Sequence, residues 1–251
     1  MSAPPESTVH DRWALRQEAG IRWLETPVGS GVARFTLAST DGGGRLNLAT
    51  APEGPEAATE ARSSMVRAMN LEPDRFRLVR QVHGGSLRET EGLPPEGTGE
   101  LLPARDPAIE ADGLMTRNPD EVLMVLVADC LPVALAGEGG LALLHLGWRG
   151  LATGMLEEAT TAISASEAVV GPCIGPCCYE VGIEVAEALG VELSTSGTVD
   201  LAGITTERLL AAGVDSVESA ERCTACEAGT FHSFRRQGHA AGRHAALLSG
   251  S

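Results

Sequence analysis

Two short apolar stretches that each lead into a reactive side chain constrain the fold of this chain most. Residues 121–127 and 141–144 are rich in Val, Leu and Met, and they are followed by Asp129-Cys130 and by His145. Their length and composition are typical of buried strands. Residues at strand ends lie where a rigid sheet meets a loop, and binding residues concentrate there. The pattern therefore predicts metal-competent side chains at the edge of a buried sheet.

A third apolar segment leads into another histidine. Residues 76–82 alternate between apolar and polar side chains, as a strand does, and are followed by His83. His83, Cys130 and His145 offer two imidazoles and a thiolate, a set that suits Zn²⁺ and leaves a fourth position open. The same residues also fit two hydrogen-bonded core histidines and a small buried cysteine. Their spacing does not decide between these interpretations, because the three come from separate strands.

Composition excludes several classes of partner. The formal net charge is -15, whereas binding to a nucleic-acid backbone needs clustered positive charge, so we expect no nucleic-acid partner. The apolar run over 122–135 is interrupted by Asp129 and Pro132 and is too short to span a bilayer. The first twenty residues lack the apolar core of a secretory signal, so we expect a cytoplasmic protein without membrane contact.

Turn and periodicity signals divide the rest of the chain into alternating strands and helices. The predicted elements are short strands within 21–36, a strand over 168–170, a surface loop over 91–106, and helices over 57–69, 151–164, 183–189 and 206–212. We see no repeat of solenoid length. We therefore expect a single domain over residues 21–251, preceded by a flexible tail over residues 1–20.

The six cysteines are expected to be thiols or metal ligands, since no secretory signal is present. Cys223-x-x-Cys226 has the spacing of half a structural zinc site, but a closed site needs four ligands. The sequence offers no second Cys-x-x-Cys nearby, and His232 is the one close addition, so a reduced thiol pair is favoured. Residues 171–178, which include Cys177-Cys178, fit either an anion-binding turn or a tightly packed turn.

Six motifs together resemble the YfiH-like family, which is also called the laccase-domain or multicopper polyphenol oxidase family. Some of its members are called peptidoglycan editing factor. The resemblance spans roughly residues 20 to 248. The motifs are, in order, Gln81-Val82-His83-Gly84, Ala111-Asp112-Gly113, Ala128-Asp129-Cys130-Leu131-Pro132, His145-Leu146-Gly147-Trp148-Arg149-Gly150, Gly171-Pro172-Cys173-Ile174-Gly175-Pro176-Cys177-Cys178-Tyr179-Glu180-Val181 and Cys223-Thr224-Ala225-Cys226.

The resemblance implies both a fold and a chemistry. The fold is α+β, a layered α/β/β/α sandwich with mixed sheets, similar to the catalytic domain of cytotoxic necrotizing factors. The resemblance also implies one Zn²⁺ held by His83, Cys130 and His145, of which Cys130 and His145 are expected to be catalytic. The implied activities are phosphorolysis of adenosine, inosine and methylthioadenosine, and deamination of adenosine. The substrates are then small molecules, and the chain is a monomer or a homodimer.

Alternative functions follow from the same resemblance. One is a cytoplasmic amidase that removes misincorporated serine from peptidoglycan precursors. Others are a laccase-like polyphenol oxidase and a metal-binding protein without turnover. Copper is less expected than zinc, because multicopper oxidases devote many histidines to several copper ions and this chain has six in all.

Roles for the neighbouring residues are expected from their chemistry. Arg149 is the candidate anion clamp, because a guanidinium matches phosphate oxygens with two parallel hydrogen bonds; a structural ion pair is the alternative. Asp129 is expected to orient a neighbouring ligand or to accept a proton. Asn47, Arg62 and Gln81 are expected to contact the nucleoside.

The chain departs from the family pattern near its start. The family usually carries Thr-Arg-x-Gly-Gly-Val-Ser, whereas this chain has Ser39-Thr40-Asp41-Gly42-Gly43-Gly44. An arginine expected to bind substrate is thus missing, or its role has moved to Arg34 or Arg45. Leu146 also replaces an alanine beside a predicted ligand. None of these changes affects the predicted ligands themselves.

Overall fold

The computed structural model describes residues 12–251 as two six-stranded sheets packed face to face, with helices on both outer sides. The strands are β1 (Ala14–Glu18), β2 (Ile21–Val28), β3 (Gly31–Thr36), β4 (Phe76–Arg77), β5 (Leu87–Glu89), β6 (Gly113–Thr116), β7 (Val122–Val127), β8 (Leu131–Gly137), β9 (Gly140–Leu146), β10 (Ala165–Val170), β11 (Glu180–Val181), β12 (Gly197–Thr198), β13 (Ser216–Ser219) and β14 (His244–Gly250). The helices are α1 (Pro55–Ala68), α2 (Trp148–Ala152), α3 (Met155–Ala162), α4 (Ile183–Leu189), α5 (Leu201–Ala211) and α6 (Phe234–Gln237). Two short 3₁₀ turns, at Pro73–Arg75 and Gly238–Ala240, complete the described elements.

Both large sheets are mixed. The first has the order β1-β2-β3-β14-β7-β4 and the second the order β13-β10-β8-β9-β6-β5, while β11 and β12 form a small separate pair. The pairs β4–β7, β5–β6 and β10–β13 are parallel, and the other pairs in these sheets are antiparallel. The predicted α+β class with mixed sheets is confirmed.

Burial on both sheet faces explains the continuous apolar runs of the sequence. In β8, Val133 and Leu135 pack against the core formed with α2 to α5, whereas Ala134 and Ala136 face the other sheet. The first sheet likewise packs one face against α1 and the other against the second sheet. Because side chains alternate between the two faces, a strand in the interior of this sandwich needs apolar residues at nearly every position. The layers therefore run α/β/β/α.

The first strand was not expected from the sequence. Residues 1–11 of the predicted tail lie outside the described residues, but Ala14–Glu18 pairs antiparallel with β2 across a turn at Ala19-Gly20. Four of the five residues of β1 are exposed. An edge strand of this kind carries polar side chains and lacks the apolar alternation by which strands are recognised. The part of the predicted tail from residue 14 onward is therefore wrong.

Three other predicted elements differ in their bounds. The helix predicted over 151–164 is divided into α2 and α3, because Gly154 adopts φ +85° and interrupts the helical path. The strand predicted over 76–82 pairs with β7 only at Phe76–Arg77. Helix α5 begins at Leu201 rather than near residue 206, because the carboxylate of Asp200 accepts from the backbone N–H of Gly203 and caps the helix.

No helix within residues 12–251 has the length and apolar character needed to cross a membrane.

Candidate metal centre and its cavity

The three predicted metal ligands lie together at one end of the sandwich. One ligand atom from each of His83, Cys130 and His145 lies within 4.8 Å of the other two. The imidazole rings of His83 and His145 are nearly perpendicular, with centroids 4.8 Å apart. The donor set of two imidazoles and a thiolate fits a zinc site with three protein ligands and an open fourth position.

Each ligand is held by a different connection. Cys130 follows Asp129, which adopts φ +88° in the link from β7 in the first sheet to β8 in the second. His145 lies in β9 opposite Pro132 of β8, so it reaches the same end of the sandwich. His83 follows the short strand β4 and has φ +56°, a left-handed conformation that is uncommon for a residue other than glycine. The cluster therefore depends on backbone turns that periodicity does not reveal.

Asp112 orients both histidines, a role that the sequence interpretation did not assign. One carboxylate oxygen lies 2.8 Å from Nδ1 of His145 and also accepts from the backbone N–H of His83 at 2.9 Å. The other oxygen accepts from the N–H of Gly84 at 2.6 Å. This pairing directs Nε2 of His145 toward the cluster and fixes the turn at His83. The residue stands in the Ala111-Asp112-Gly113 motif, and that motif was the signal that could have found it.

Exposure changes across the cluster. The side chain of His145 is 2% exposed and Asp112 is fully buried, whereas His83 is exposed. The hydrogen-bonded pair of Asp112 and His145 thus lies in the protein interior, whereas His83 faces solvent. A small molecule can approach the open position from the side of His83.

The environment of Cys130 favours its thiolate. Burial raises the pKa of this thiol, but hydrogen bonds from His145 and His83 and their charges outweigh burial and lower the pKa from 9.0 to about 6. Burial lowers the pKa of His145, whereas Asp112 and Cys130 raise it to about 9. A thiolate is the form of cysteine that binds metals. Cys130 is therefore mainly in its thiolate form at neutral pH and can bind a cation.

A cavity of about 560 Å³ opens over the cluster, a size typical of sites for small molecules. Arginines form a large part of its wall, and two of them, Arg80 and Arg105, are paired with Glu110 and Glu96. Of 19 basic residues, six line this cavity. These are Arg62, Arg80, Arg105, Arg149, Arg235 and Arg243. The concentration of guanidinium groups beside a candidate metal centre is suited to an anionic ligand.

Arg149 is positioned to bind that anion. It is exposed, lines the cavity, and its guanidinium carbon lies 4.4 Å from the ring centroid of Trp148. Within residues 12–251 the ion pairs of the chain do not include Arg149. The structure therefore does not support the alternative of a structural ion pair in the described part of the chain. Trp148 supports the guanidinium from one side through a cation–π contact.

Aromatic side chains are also concentrated here. The chain has three Trp, one Tyr and four Phe, and of these Trp148, Tyr179 and Phe234 line the cavity. Phe234 is 43% exposed, which is unusual for an apolar ring without a ligand. Aromatic faces of this kind stack on flat heterocycles. The cavity thus combines an anion-binding side with an apolar aromatic side.

The carboxylate of Asp129 is engaged in hydrogen bonds between loops. Its two carboxylate oxygens accept from the hydroxyl of Thr224 at 2.6 Å, the hydroxyl of Ser233 at 3.0 Å and the backbone N–H of Arg235 at 2.7 Å. These bonds join the β7–β8 link to the loops that follow β13. The orientation of a ligand by a neighbouring carboxylate, which was predicted for Asp129, is carried out by Asp112 instead.

Of the three predicted nucleoside contacts, two line the cavity. Arg62 is 4% exposed and donates to the carbonyls of Leu48 and Pro103, and burial lowers its pKa to about 10. Gln81 also lines the cavity, but its amide exchanges two hydrogen bonds with the backbone of Leu126, at 2.7 and 2.8 Å. The backbone of residues 78–82 does not pair with β7, and the side chain of Gln81 makes these hydrogen bonds to β7 instead.

Asn47 does not line the cavity. Its amide donates to the carbonyl of Ala51 and to Glu53, and its oxygen accepts from the N–H groups of Ala49 and Arg243. Every polar atom of the side chain is used within the protein. The prediction of a substrate contact at Asn47 is not supported, because the residue serves to hold two loops together.

The arginine expected to have moved to Arg34 or Arg45 is at neither position. Arg34 pairs with Glu25 on the sheet, and Arg45 donates to the carbonyls of Ala228 and Phe231. Four of the six cavity arginines, Arg80, Arg105, Arg235 and Arg243, were not predicted as site residues. The guanidinium of Arg243 donates to the carbonyls of residues 241 and 242 at the start of β14.

The cysteines of the two neighbouring loops are also brought together. Ligand atoms of Cys177, Cys178, Cys223 and Cys226 all lie within 4.8 Å of one another. Cys223 and Cys226 are free thiols, as expected, but the sequence did not predict that the adjacent pair Cys177-Cys178 meets them. His232 does not join them: it is buried, and its Nε2 lies 2.8 Å from the carbonyl of Leu46.

Comparison with known proteins identifies the family. A family model described as multi-copper polyphenol oxidoreductase laccase matches residues 33–250. The chain belongs to this family. Among its YfiH-like relatives, the purine nucleoside phosphorylase YfiH of Escherichia coli (strain K12) is 33% identical over 208 residues, which cover 76% of this chain and 81% of that protein.

Two further relatives support the same placement. A protein of Xylella fastidiosa named purine nucleoside phosphorylase is 34% identical over 226 residues, covering 81% of this chain and 84% of that protein. The crystal structure of YlmD from Geobacillus stearothermophilus matches with a TM-score of 0.80 at 28% identity, covering 94% of this chain and 98% of YlmD. The YfiH-like fold and family predicted from the motifs are thus confirmed.

Proposed function

We propose that this YfiH-like chain is a zinc-dependent purine nucleoside phosphorylase that also deaminates adenosine. The observation that carries the proposal is the position of the His83–Cys130–His145 cluster in the wall of a cavity lined by six arginines and three aromatic rings. The names of the relatives in Escherichia coli and Xylella fastidiosa agree with the first activity. We assign the activity to the domain predicted over residues 21–251, extended by β1.

The ligand set supports zinc rather than copper. His83, Cys130 and His145 form a three-ligand set with a carboxylate, Asp112, behind one histidine, as in many catalytic zinc sites. When bound, Zn²⁺ supplies Lewis-acid polarisation of an oxygen in its open fourth position. A multicopper oxidase needs histidines for several ions, whereas two of the six in this chain are in the cluster and His232 is hydrogen-bonded elsewhere.

Phosphate and the purine bind on different sides of the cavity. Arg149 binds phosphate, since its guanidinium has no carboxylate partner among the described residues and is supported by Trp148. Tyr179 and Phe234 bind the purine through their ring faces. Arg62, which is buried and charged at neutral pH, contributes positive potential from the cavity wall. This arrangement holds both reactants of phosphorolysis in one enclosed space.

Deamination is the second activity, and the open position of a three-ligand site supports it. It requires water where phosphorolysis requires phosphate. Both reactions can therefore use the same purine subsite, and phosphate concentration decides between them. Adenosine is the substrate on which the two outcomes can be compared directly.

The test is chromatography of adenosine and of inosine after incubation with the purified zinc-loaded protein, with and without phosphate. The proposal predicts release of adenine or hypoxanthine only when phosphate is present, and conversion of adenosine to inosine without it. Nucleosides that remain unchanged under both conditions would contradict the proposal and favour the amidase, which acts on a serine amide of a cell-wall precursor. Oxidation of a phenol by the copper-loaded protein would instead favour the oxidase.

A further inference from the structure

Four cysteines from two loops converge beside the cavity, separate from the His83–Cys130–His145 cluster. Cys177 and Cys178 lie in the segment after β10, and Cys223 and Cys226 lie in the segment after β13. The sulfur of Cys226 is 3.4 Å from the sulfurs of both Cys177 and Cys178, and all four sulfurs lie within 4.8 Å of one another. Because Cys226 is 48 and 49 positions from its two partners in sequence, this meeting is a property of the fold.

The spacing of the sulfurs fits one tetrahedral ion. Zinc–thiolate bonds of about 2.3 Å place the sulfurs of a tetrahedral site about 3.8 Å from one another. The observed separations are close to that value, and they are too short for ligands distributed around a multi-iron cluster. Four thiolates are a soft, closed ligand set, which is typical of structural zinc.

Backbone contacts hold the two cysteine segments in register. Cys173 and Cys223 form a parallel bridge, and the N–H of Thr224 donates to the carbonyl of Cys173 at 2.9 Å. The N–H of Gly175 donates to the sulfur of Cys223 at 3.3 Å, as backbone amides do at metal-bound thiolates. A Cβ at Gly175 would lie 3.2 Å from that of Cys223, so glycine permits the close approach.

Two arginines lie against the backbone of the cluster. Zinc with four thiolates carries a net charge of about -2, which an acidic chain would otherwise accommodate poorly. The guanidinium of Arg235 donates to the carbonyls of Cys178 and Glu180, and that of Arg236 donates to the carbonyls of Thr224 and Ala225. Both arginines thus lie against the backbone of the cysteine segments. Their charges offset that of a tetrathiolate centre.

We propose that Cys177, Cys178, Cys223 and Cys226 form a structural Zn²⁺ site that holds the wall of the cavity in place. Tyr179 follows Cys178 directly, and Arg235 bonds to the carbonyl of Cys178; both Tyr179 and Arg235 line the cavity. The ion joins the segment after β10 to the segment after β13. Its removal frees the wall and leaves all three donors of the His83–Cys130–His145 cluster in the chain.

The test is the zinc content of the purified full-length chain, measured by elemental mass spectrometry after removal of loosely bound metal. We expect two zinc ions per chain in the wild type, one in the Cys223→Ser/Cys226→Ser variant and one in Cys130→Ala. Cys173→Ala is the matched control, because Cys173 is a buried cysteine of the same segment that lies outside the cluster. This control should keep both ions. The count does not depend on turnover, so it is independent of the proposed activity.

A spectroscopic probe covers the case in which the double variant fails to fold. Cys130→Ala reconstituted with Co²⁺ should show the intense charge-transfer absorption of a tetrathiolate centre, because the four-cysteine cluster is then the remaining site. Zinc content that is unchanged in the Cys223→Ser/Cys226→Ser variant, no cobalt–thiolate absorption in Cys130→Ala, or a disulfide among the four cysteines of protein purified under reducing conditions would each overturn the proposal. Iron as the ion found at this cluster would overturn the zinc assignment.

Discussion

The two clusters of metal-competent residues are held in opposite ways. Cys130 and His145 lie at or beside the ends of sheet strands and His83 lies in a turn, and the fully buried carboxylate of Asp112 orients the two histidines. The four cysteines lie on two surface segments, Cys177 and Cys226 are exposed, and backbone groups are their main support. One cluster faces a cavity, and the other lies behind its wall.

Under the two proposals, this contrast separates a site for reaction from a site for structural support. A three-ligand site with mixed nitrogen and sulfur donors leaves room for a reactant, whereas four thiolates leave none. A carboxylate hydrogen-bonded to a ligating histidine fixes the tautomer and orientation of that histidine. This control is more important at a catalytic metal site than at a structural one. Substitutions at the three-ligand cluster should therefore have the largest effects on turnover, and substitutions farther from it should have smaller ones.

Replacement of Cys130 by alanine should show the difference between the two clusters most clearly. The variant loses one of the three donors of the catalytic cluster, so phosphate-dependent release of base should fall below detection while the four-cysteine cluster keeps its ion. The measurement is initial rate together with zinc content of the same preparation. Turnover near the wild-type level in this variant would contradict the assignment.

Asp112→Asn and Asp129→Asn form a matched pair that tests which carboxylate serves the metal. Asp112→Asn should lower zinc affinity or turnover about 10- to 100-fold, because the hydrogen bond to Nδ1 of His145 is weakened. Asp129→Asn should leave zinc at the catalytic cluster and instead lower the free energy of unfolding by about 1–3 kcal/mol, since its bonds join loops. Zinc titrations and urea unfolding of both variants measure these effects. Equal losses of zinc affinity would refute the separation of roles.

Arg149→Ala tests the anion side of the cavity. Loss of a charge-assisted contact should raise the KM for phosphate about tenfold with little change in the KM for nucleoside. Arg88→Ala is the control, because Arg88 is exposed on β5 and does not line the cavity. Steady-state kinetics at varied phosphate distinguishes them. An unchanged KM for phosphate in Arg149→Ala would remove this residue from the site.

A buried histidine outside both clusters should make the free energy of unfolding depend on acid pH. His244 is 1% exposed, neither ring nitrogen has a hydrogen-bond partner, and burial, followed by the charges of His232 and Arg243, lowers its pKa from 6.5 to about 3. The folded state keeps this imidazole neutral, so its contribution to stability is present above pH 6.5. That contribution is lost as the pH falls from 6.5 toward 3, at about 1.4 kcal/mol per pH unit.

The corresponding variant is His244→Leu, which cannot take up a proton. Its free energy of unfolding should fall less steeply with acid than that of the wild type between about pH 6 and pH 4. Urea unfolding at a series of pH values measures the difference, and groups common to both proteins cancel. If the two pH profiles run parallel, burial does not keep His244 neutral in the folded state.

The layered fold was predicted through the family resemblance, whereas the apolar residues of the interior strands predicted only that those strands are buried. Reactive residues after three apolar segments indicated His83, Cys130 and His145 as candidates, and it was the family resemblance that predicted their meeting at one site. Strand β1 was missed because Ala14–Glu18 is an exposed edge strand. The break at Gly154 was missed because periodicity alone does not register one residue with positive φ.

The parts of the site that the sequence did not reveal depend on contacts between distant segments. Asp129 and Asp112 both precede a strand in a recognisable motif, and only their hydrogen bonds distinguish them. Asn47 is polar and near an expected site, yet its amide is fully used by loop backbone and Glu53. The four-cysteine cluster requires that Cys177-Cys178 and Cys223-x-x-Cys226 meet across the fold, which no local spacing predicts.

The most direct test of the division between the two clusters is the initial rate of phosphate-dependent base release, at saturating nucleoside, for the wild type, Cys130→Ala and Cys226→Ser. We predict no detectable rate in Cys130→Ala and a kcat within about twofold of wild type in Cys226→Ser, whose loosened cavity wall raises KM instead. Loss of kcat in Cys226→Ser together with a retained rate in Cys130→Ala would show that the four-cysteine cluster, and not the His83–Cys130–His145 cluster, carries the reaction.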